Sequence, residues 1–442
     1  MRHLKSFQNT TKIFLFLFKI NLNKVCLFRF GYYFCTVNLI FIYKESKLKQ
    51  MKKTLLSLLL FTSILSFSQT VQDSITFDPQ KQQNAAQRIL SGNYGKSVTV
   101  GAYGEITYNQ PEADNGELDV QRLVLLFGYK FNEKTQFVTE IEFEHVEEVY
   151  VEQAFVNYNV GNNVSLRGGL MLVPMGIVNE FHEPTTFNGT ERPAVDNVIV
   201  PTTWREIGFG VTGRFSELSI GYQAYVFNGF KSTFADGDNG IAGYLKGSNG
   251  LRGGRQKAIK STVDSPTFST KIDFYGIPGL RLGASGYFGR TQAADEIEDV
   301  DGANIGIVMI GLDARYAYKR FTARGQYIYA SLSDTEAYND LTGKDLGSGL
   351  MGYYGEVAYN LLPQNNEQRL FAFLRYENYD THADTDGSLV RNDAYNRTDI
   401  TTGLSYHIAP GVVIKGDYQF RDNKLSGSEV PNRLNFGIGV WF

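Results

Sequence analysis

The chain has 442 residues, with 43 Lys and Arg against 46 Asp and Glu. The first 68 residues hold eleven of the basic residues, one acidic residue and both cysteines, Cys26 and Cys35. The remainder therefore carries 32 basic and 45 acidic residues, a formal net charge of −13, and no thiol. Disulfide and Cys-zinc chemistry are excluded there. Helical membrane spans are excluded too, because that part lacks an apolar run of about 18 residues.

An export signal is predicted at residues 51–68. The stretch "MKKTLLSLLLFTSILSFSQ" has two lysines, an apolar run, and small residues before a cleavage site at Gln69. Residues 1–50 are interpreted as an extension upstream of the true start, since a signal peptide normally stands at the N-terminus. The alternative, a membrane anchor, is weaker because basic residues interrupt its apolar stretches. Residues 69–97 are then a periplasmic N-terminal segment, and residues 98–442 form the main domain.

From Val98 onward, apolar and polar residues alternate with the period of two that is typical of β-strands. Segments such as "VTVGAYGEITY", "TQFVTEIEFEHV" and "RLNFGIGVWF" show the pattern. The spacing of about 22 residues for each strand with its connection fits transmembrane strands of about 10 residues. Sixteen strands are predicted, centred near residues 103, 125, 140, 154, 167, 210, 223, 270, 285, 312, 326, 356, 373, 403, 416 and 437.

The predicted connections alternate between short and long. Short ones, such as "NEK" at 132–134 and "GIPG" at 276–279, are separated by long polar stretches such as 171–203 and 230–265. Only the connection near residue 146 departs from this rule. Outer-membrane barrels have short periplasmic turns and long outer loops. The pattern predicts an all-β, 16-stranded antiparallel transmembrane β-barrel in the bacterial outer membrane, in contact with lipid and lipopolysaccharide.

The last strand indicates which face meets lipid. Even-numbered residues from 434 to 440 are apolar, whereas odd-numbered residues from 433 to 439 are Arg, Asn or Gly. The apolar set should face the membrane. The chain ends with Trp441 and Phe442 in this amphipathic strand, which resembles the C-terminal signal that directs outer-membrane proteins to the barrel assembly machinery. We therefore interpret these two residues as an assembly signal.

The same parity places eleven basic and eleven acidic side chains on the inner face of the predicted barrel. Unpaired charges in a dry core would cost several kcal/mol each, and sixteen strands enclose an aqueous channel. A water-filled pore for passive diffusion of small hydrophilic solutes or ions is therefore predicted. The pore-lining candidates are Arg122, Glu140, Glu142, Arg315, Arg324, Arg375, Glu377 and Arg433.

Three consecutive segments carry a family resemblance: "RGGLMLVPMGIVNE", "HEPTTFNGTERP" and "VPTTWREIGFGVTG". They resemble the phosphate-selective porin O and P family of Bacteroidetes-type bacteria. The resemblance implies a sixteen-stranded, homotrimeric barrel whose third outer loop, about 171–204, folds inward and narrows the channel. On that basis the constriction would be formed by Glu180, His182, Glu183, Glu191 and Arg192 of the loop, facing Arg167 and Arg214 on the wall. An ordinary surface loop, or one that makes trimer contacts, is the alternative.

The predicted loop argues against strong anion capture. Residues 171–204 contain one basic residue, Arg192, against four acidic residues, and oxyanion binding needs clustered Arg or Lys. Because the wall charges balance, we expect a weakly selective or cation-tolerant diffusion pore. A phosphate- or anion-selective porin is the alternative within the same class.

Two other classes of protein are less favoured. A barrel enzyme would need a histidine paired with a nucleophile near the rim, and an adhesion protein would need no open lumen. No catalytic residue, cofactor or nucleic-acid partner is predicted. No metal site is predicted either, since His182 beside its neighbouring carboxylates is weak evidence for one.

Overall fold

The computed structural model of the protein describes residues 78–92, 98–237 and 240–442, so the predicted leader at residues 1–68 lies outside it. Within the described residues, sixteen long strands form one closed antiparallel barrel, as predicted. Two short strands, β8 (Thr233–Ala235) and β9 (Ile241–Gly243), form a separate hairpin. The barrel strands are β1 Val98–Pro111, β2 Glu117–Lys130, β3 Thr135–Glu144, β4 Glu148–Gly161, β5 Val164–Leu172, β6 Arg205–Phe215, β7 Ile220–Phe227, β10 Thr267–Phe274, β11 Leu280–Arg290, β12 Gly306–Tyr318, β13 Phe321–Ser333, β14 Gly349–Asn360, β15 Arg369–Asp384, β16 Asn396–Ala409, β17 Val412–Asn423 and β18 Arg433–Trp441.

Pairing of β1 with β18 closes the barrel. The register places Tyr103 opposite Trp441 and Pro111 opposite Arg433. Closure leaves no free strand edge, which lets a sheet stand in lipid with its backbone hydrogen bonds satisfied. Side chains of β18 alternate between the two faces as predicted, because Phe436 is 49% exposed whereas Asn435 is fully buried.

The connections alternate in length as the sequence indicated. One end of the barrel carries short turns, such as 131–134 between β2 and β3 and 319–320 between β12 and β13. The opposite end carries the long connections. Two of these matter for the pore and are named here loop three, residues 173–204, and loop four, residues 228–266.

Two connections at the long-loop end are short. The β3–β4 connection at 145–147 is the exception that the sequence indicated. The β1–β2 connection is only 112–116, shorter than the predicted stretch from 109 to 119. The difference arises because β1 and β2 remain paired as far as Asn109 and Glu117, so polar residues extend the strands beyond the apolar band.

Short helices occur outside the barrel strands. In the described part of the chain the α-helices are α1 Ala85–Ser91, α2 Val195–Val198 and α3 Thr335–Thr342. A capping box begins α1, because the Asn84 side chain accepts from the Gln87 backbone while the Gln87 side chain accepts from the Asn84 backbone. Among the described residues, no helix combines the length and the hydropathy needed to cross a membrane.

Residues 78–92, which include α1, lie against the barrel end that bears the short turns. Gln80 Nε2 donates to the Tyr275 carbonyl (2.7 Å) in the turn between β10 and β11. At the other end of the segment, Gln136 Nε2 of β3 donates to the Leu90 carbonyl (3.1 Å). The two contacts attach the segment to separate parts of the wall, so it extends over part of the barrel mouth.

Loop three lies inside the barrel, as the family resemblance implied. Trp204 at its end stacks on Phe230 of loop four (4.7 Å between ring centroids) and meets Tyr287 of β11 edge-on (4.6 Å). Four prolines keep the loop out of the strand ladder, and its apolar side chains give the barrel a packed core. These almost fully buried residues are Val173, Met175, Ile177, Val178, Phe181, Val195, Ile199, Val200 and Trp204. The loop therefore fills much of a lumen that the strand count alone predicted to be open.

Candidate functional site

Glu180 anchors the first half of loop three to the wall. Its Oε2 accepts a hydrogen bond from Lys271 Nζ (2.9 Å) on β10, and its Oε1 accepts from Gln223 Nε2 (2.7 Å) on β7. Lys271 is fully buried and lies 3.8 Å from Asp313 of β12. A buried charge is tolerated when it is paired and hydrogen-bonded, so this contact fixes both the charge and the loop.

Carboxylates of the wall hold the second half of loop three. The Thr190 backbone N–H donates to Asp417 Oδ2 (2.6 Å), and the Ala194 backbone N–H donates to Glu377 Oε2 (2.5 Å). Glu377 is also paired with Arg375 Nε (3.0 Å) on the same strand. The wall thus supplies acceptors for loop backbone groups that would otherwise be buried without partners.

Further ion pairs neutralise charges along the wall. Arg122 Nε is 2.7 Å from Glu105 Oε1, and Arg324 Nη2 is 2.7 Å from Glu356 Oε1. Each arginine lies on a strand adjacent to that of its carboxylate. Cross-strand pairing of this kind follows from the register, because opposite residues on neighbouring strands have adjacent side chains. These pairs balance charge locally, whereas Lys415 Nζ of β17 has no hydrogen-bond partner among the described residues and lies 3.8 Å from the centroid of the Phe187 ring.

An outer cavity of about 210 Å³ breaks this balance. It lies between loop three, loop four and the wall of β2, β3 and β6. Cations outnumber carboxylates around it, unlike along the rest of the wall. The basic lining residues are Arg122, Arg192, Arg205, Arg252, Arg255 and Lys257, and the acidic ones are Glu142, Glu144 and Glu191.

The arginines of loop four point at backbone carbonyls of loop three. Arg252 Nη1 donates to the Thr202 carbonyl (2.8 Å). Arg255 Nη1 donates to the carbonyls of Pro201 (2.9 Å) and Thr203 (3.0 Å). A carbonyl orients a guanidinium without cancelling its charge. These contacts therefore hold two full positive charges at the cavity.

The basic side chains that line this cavity lie close enough to change one another's pKa. Burial, followed by the nearby Arg252 and Arg205, lowers the pKa of Arg255 to about 9, so the side chain stays protonated at pH 7. Burial and then Arg255 lower the pKa of Lys257 as well. The Nε atoms of Arg192 and Arg205 are buried without a hydrogen-bond acceptor among the described residues. An anion entering the cavity would relieve the repulsion and accept from these donors.

The predicted constriction residues separate into two groups. Those of loop three all lie inside the barrel: Glu180, His182, Glu183, Glu191 and Arg192. Arg167 lies half-buried on the wall, where its Nε donates to Asn157 Oδ1 (2.9 Å). Arg214, in contrast, is exposed beside the short turns, 5.9 Å from the ring of Tyr275. The structure does not bring Arg214 to loop three. The prediction failed because strand parity gives the face on which a residue lies but not its depth along the barrel axis.

The other pore-lining candidates lie mostly at contacts between the wall and loop three. Six of them are buried, namely Arg122, Glu140, Glu142, Arg315, Arg375 and Glu377. Arg324 and Arg433 are half-buried. At the chain end, Trp441 is buried, whereas Phe442 is 71% exposed.

Sequence reasoning missed Glu152, which lies in a β-bulge. Glu140 of β3 pairs with Gln153 of β4, but the next residue, Ile141, pairs with Val151. Glu152 is therefore the extra residue, and both Glu152 and Gln153 are buried on the inner side. The signal was present in the sequence, because two adjacent polar residues conflict with strict alternation.

The basic residues of loop four and Arg205 were also missed. The run "RGGRQK" at 252–257 is visible in the sequence. Nothing in its local pattern indicates that loop four folds onto loop three, since that placement depends on tertiary contacts such as the stacking of Phe230 on Trp204.

Comparison with known proteins gives consistent matches. The family model for phosphate-selective porin O and P matches residues 100–435. An uncharacterised protein of Aquifex aeolicus (strain VF5) is 36% identical over 350 residues, which is 74% of this chain and 77% of that protein.

Solved structures of outer-membrane proteins share the fold. The outer membrane channel DcaP of Acinetobacter baumannii matches with a TM-score of 0.53 at 12% identity, over 79% of this chain and 99% of that one. An anion-selective porin from Comamonas acidovorans matches with a TM-score of 0.52 at 13% identity, over 78% and 99%. The trimer form of OmpT from Vibrio cholerae gives 0.50 at 10% identity, over 78% and 99%.

Proposed function

This chain belongs to the phosphate-selective porin O and P family and is a porin of the outer membrane, and from that premise we propose that it favours small anions. The observation that carries the proposal is the outer cavity, where six cations meet three carboxylates. One cation, Arg122, is already paired with Glu105. Of the five cations that remain, three belong to loop four. The expectation of a weakly selective pore was based on strand parity and loop three alone, and did not count these three cations.

Oxyanions such as phosphate fit this lining best. A guanidinium presents N–H groups in a planar fork that matches two oxygens of an anion. Arg192 and Arg205 have buried Nε groups without acceptors among the described residues, and Arg252 and Arg255 contribute charge from loop four. Chloride would be attracted by the same positive charges, but it has no pair of oxygens to accept two hydrogen bonds from one guanidinium. The cavity thus supports anion preference with tighter interaction for phosphate.

Current measurements in planar lipid bilayers test this proposal. Under a potassium chloride gradient we expect a reversal potential of the sign that marks chloride as the more permeant ion. Added phosphate should reduce the chloride current in a saturable way. A reversal potential near zero, or one that favours potassium, together with no effect of phosphate, would instead support the weakly selective diffusion pore expected from loop three and the strand wall alone.

A homotrimer is the oligomeric state that we propose. The outward faces of the strands are apolar and exposed, with Phe209 at 67% and Leu312 at 61%, and such faces must meet lipid or another protomer. One of the matching structures is the trimer form of OmpT from Vibrio cholerae. Mass measurement of the detergent-solubilised protein tests the proposal, and a single-chain mass would contradict it.

Membrane assembly is proposed to use the chain end. The Phe442 N–H donates to the Ala102 carbonyl (2.9 Å), so the backbone is held in the barrel while its ring stays exposed. An exposed terminal aromatic ring is what the assembly machinery would recognise. Removal of Phe442 should lower the amount of heat-modifiable, folded barrel in the outer membrane; unchanged amounts would contradict this role.

Lipopolysaccharide is the proposed neighbour of the outer loops.

The export signal remains a proposal for residues 51–68, with residues 1–50 upstream of the true start. N-terminal sequencing of the membrane protein should give Gln69 as its first residue.

We also propose that the chain has no catalytic role. The barrel-enzyme alternative required a histidine beside a nucleophile, and the recorded partners of His145 at the outer rim are two carboxylates, Asp119 (2.7 Å) and Glu144 (3.9 Å).

A further inference from the structure

Four buried side chains meet where loop three touches the wall strands β1, β3 and β4. They are Tyr103 of β1, Glu140 of β3, Glu152 of β4 and His182 of loop three, and each is at most 1% exposed. One carboxylate oxygen of Glu140, one carboxylate oxygen of Glu152 and one ring nitrogen of His182 all lie within 4.8 Å of one another. The β-bulge in β4 creates this cluster, since it turns Glu152 inward beside Gln153.

The hydrogen bonds of His182 fix its tautomer. Nδ1 lies 3.1 Å from the Asn179 carbonyl oxygen, which can only accept, so Nδ1 carries the proton. The Nε2 lone pair of a neutral ring then faces Tyr103 Oη at 2.8 Å and Glu152 Oε1 at 3.4 Å. A backbone carbonyl on one nitrogen, with the lone pair of the other nitrogen turned toward a carboxylate cluster, is the arrangement of metal-binding histidines.

The cluster has too few donors for its acceptors. Tyr103 Oη lies within hydrogen-bond distance of His182 Nε2 (2.8 Å), Glu152 Oε2 (2.8 Å) and Glu140 Oε2 (3.3 Å), yet a hydroxyl has one hydrogen. Glu152 Oε1 has no hydrogen-bond donor among the described residues. A positive charge, carried by a proton or a metal ion, is needed between these atoms.

The neighbouring Arg122 does not supply that charge. The Arg122 guanidinium is 5.3 Å from the Tyr103 ring, but it is bound to Glu105 Oε1 (2.7 Å) and to the His182 carbonyl. Gln153 Nε2 donates to Glu140 Oε1 (2.7 Å), which orients that carboxylate without neutralising it. Two glutamates and one imidazole therefore remain as an open donor set.

We propose that Glu140, Glu152 and His182 bind one divalent first-row transition-metal ion, of which Zn²⁺ is the representative. An imidazole nitrogen with two carboxylates suits Zn²⁺ and its neighbours in the series, whereas Mg²⁺ and Ca²⁺ take oxygen ligands only. The ion joins the wall strands β3 and β4 to loop three. Its occupancy fixes the loop at β3 and β4, a part of the wall separate from the β7 and β10 contacts of Glu180, and thus acts on the element that narrows the pore.

Metal binding to the purified protein in detergent tests the proposal. After treatment with a chelator, Zn²⁺ titration against a chromophoric chelator should give one tight site per chain that excess Mg²⁺ and Ca²⁺ do not occupy. Glu152→Gln keeps the shape of the side chain and should weaken Zn²⁺ binding by at least about 100-fold, because loss of even an outer-shell partner costs about 10–100-fold. The matched control is His407→Gln, on β16 beside Phe371 and away from the cluster, which should bind as the unaltered protein does. Equal affinity in all three proteins would overturn the proposal.

X-ray absorption at the zinc edge of the unaltered protein gives a test that does not depend on folding of a variant. One imidazole nitrogen and oxygen ligands at about 2.0–2.2 Å are expected. The assignment would be contradicted by a zinc site with several imidazoles, by one with oxygen ligands alone, or by the absence of stoichiometric zinc. In the last case a proton would be the charge that these side chains share. Either result is independent of the anion preference, because the reversal potential depends on the basic residues of the outer cavity.

Discussion

The wall beneath loop three and the outer cavity above it use charge in opposite ways. On the wall, Lys271 is bound by Glu180 and Arg375 by Glu377, in buried contacts. In the cavity, Arg252 and Arg255 bind neutral carbonyls, and cations exceed carboxylates. The first region holds the loop in place, and the second retains charge that a solute can meet.

This difference shows why the number of charges on the wall is a poor guide to selectivity. Eleven cations against eleven anions suggested a neutral pore, but paired wall charges cancel locally and are covered by loop three. Coulomb attraction for a passing ion comes from charges without a partner, especially where little water screens them. In this protein three of those charges, Arg252, Arg255 and Lys257, come from loop four, which lies outside the strand pattern.

The largest expected effect comes from breaking a wall pair. Lys271→Met leaves Glu180 buried without its cation, and should lower the free energy of unfolding by about 3–5 kcal/mol. Urea unfolding in lipid vesicles, followed by tryptophan fluorescence, measures the change, and Trp204 reports directly on loop three. The control is Lys81→Met, where the lysine is 77% exposed and 3.9 Å from Asp78. There the change should stay within about 0.5 kcal/mol. Similar losses in both variants would remove the distinction between buried and exposed pairs.

A change of cation type should sharpen the description of the outer cavity. Arg205→Lys keeps the charge but removes the planar fork, so phosphate should inhibit the chloride current about tenfold less strongly. The reversal potential in potassium chloride should remain as in the unaltered protein. Arg320→Lys, in a short turn at the other barrel end beside Tyr359, is the matched control and should change neither quantity. Unchanged phosphate inhibition in Arg205→Lys would show that the cavity attracts anions by charge alone.

The smallest expected effect concerns an exposed pair at the outer rim. Burial alone would lower the pKa of His145, but the hydrogen bond and charge of Asp119 raise it above the ordinary value. The protonated form is therefore favoured in the folded protein, and its contribution is fully present below about pH 6.5 and lost as pH rises through the raised pKa. Limited proteolysis at the 145–147 connection, expressed relative to cleavage of an unstructured peptide of the same sequence at each pH, should be slower at pH 5.5 than at pH 8. In His145→Gln the two rates should be equal, and a persistent difference would assign the pH effect elsewhere.

The fold could be predicted because its determinants are local. Alternation with period two gave sixteen strands, and connection lengths gave the two ends. Where alternation failed, the structure shows a physical reason, since Glu152 is the extra residue of a bulge. The inward position of loop three came from the resemblance and not from periodicity, because no local pattern distinguishes a loop inside a barrel from one outside it.

The composition of the candidate site was harder to predict. Arg214 has the parity of a lumen residue but lies at the short-turn rim, so its depth along the strand decides its role. Arg252 and Arg255 reach the cavity through contacts between two loops that are distant in sequence. Such placements depend on the whole packed barrel, and a single sequence gives no direct signal of them.

The central claim is that the cations of the outer cavity determine which ions pass, and two double variants of equal charge change test it most directly. Arg252→Gln with Arg255→Gln removes two cations from the cavity, whereas Arg214→Gln with Arg320→Gln removes two at the short-turn end. Reversal potentials in a potassium chloride gradient should move toward zero, or toward potassium, only for the first pair. Equal shifts in both pairs, or no shift in the first, would contradict the account.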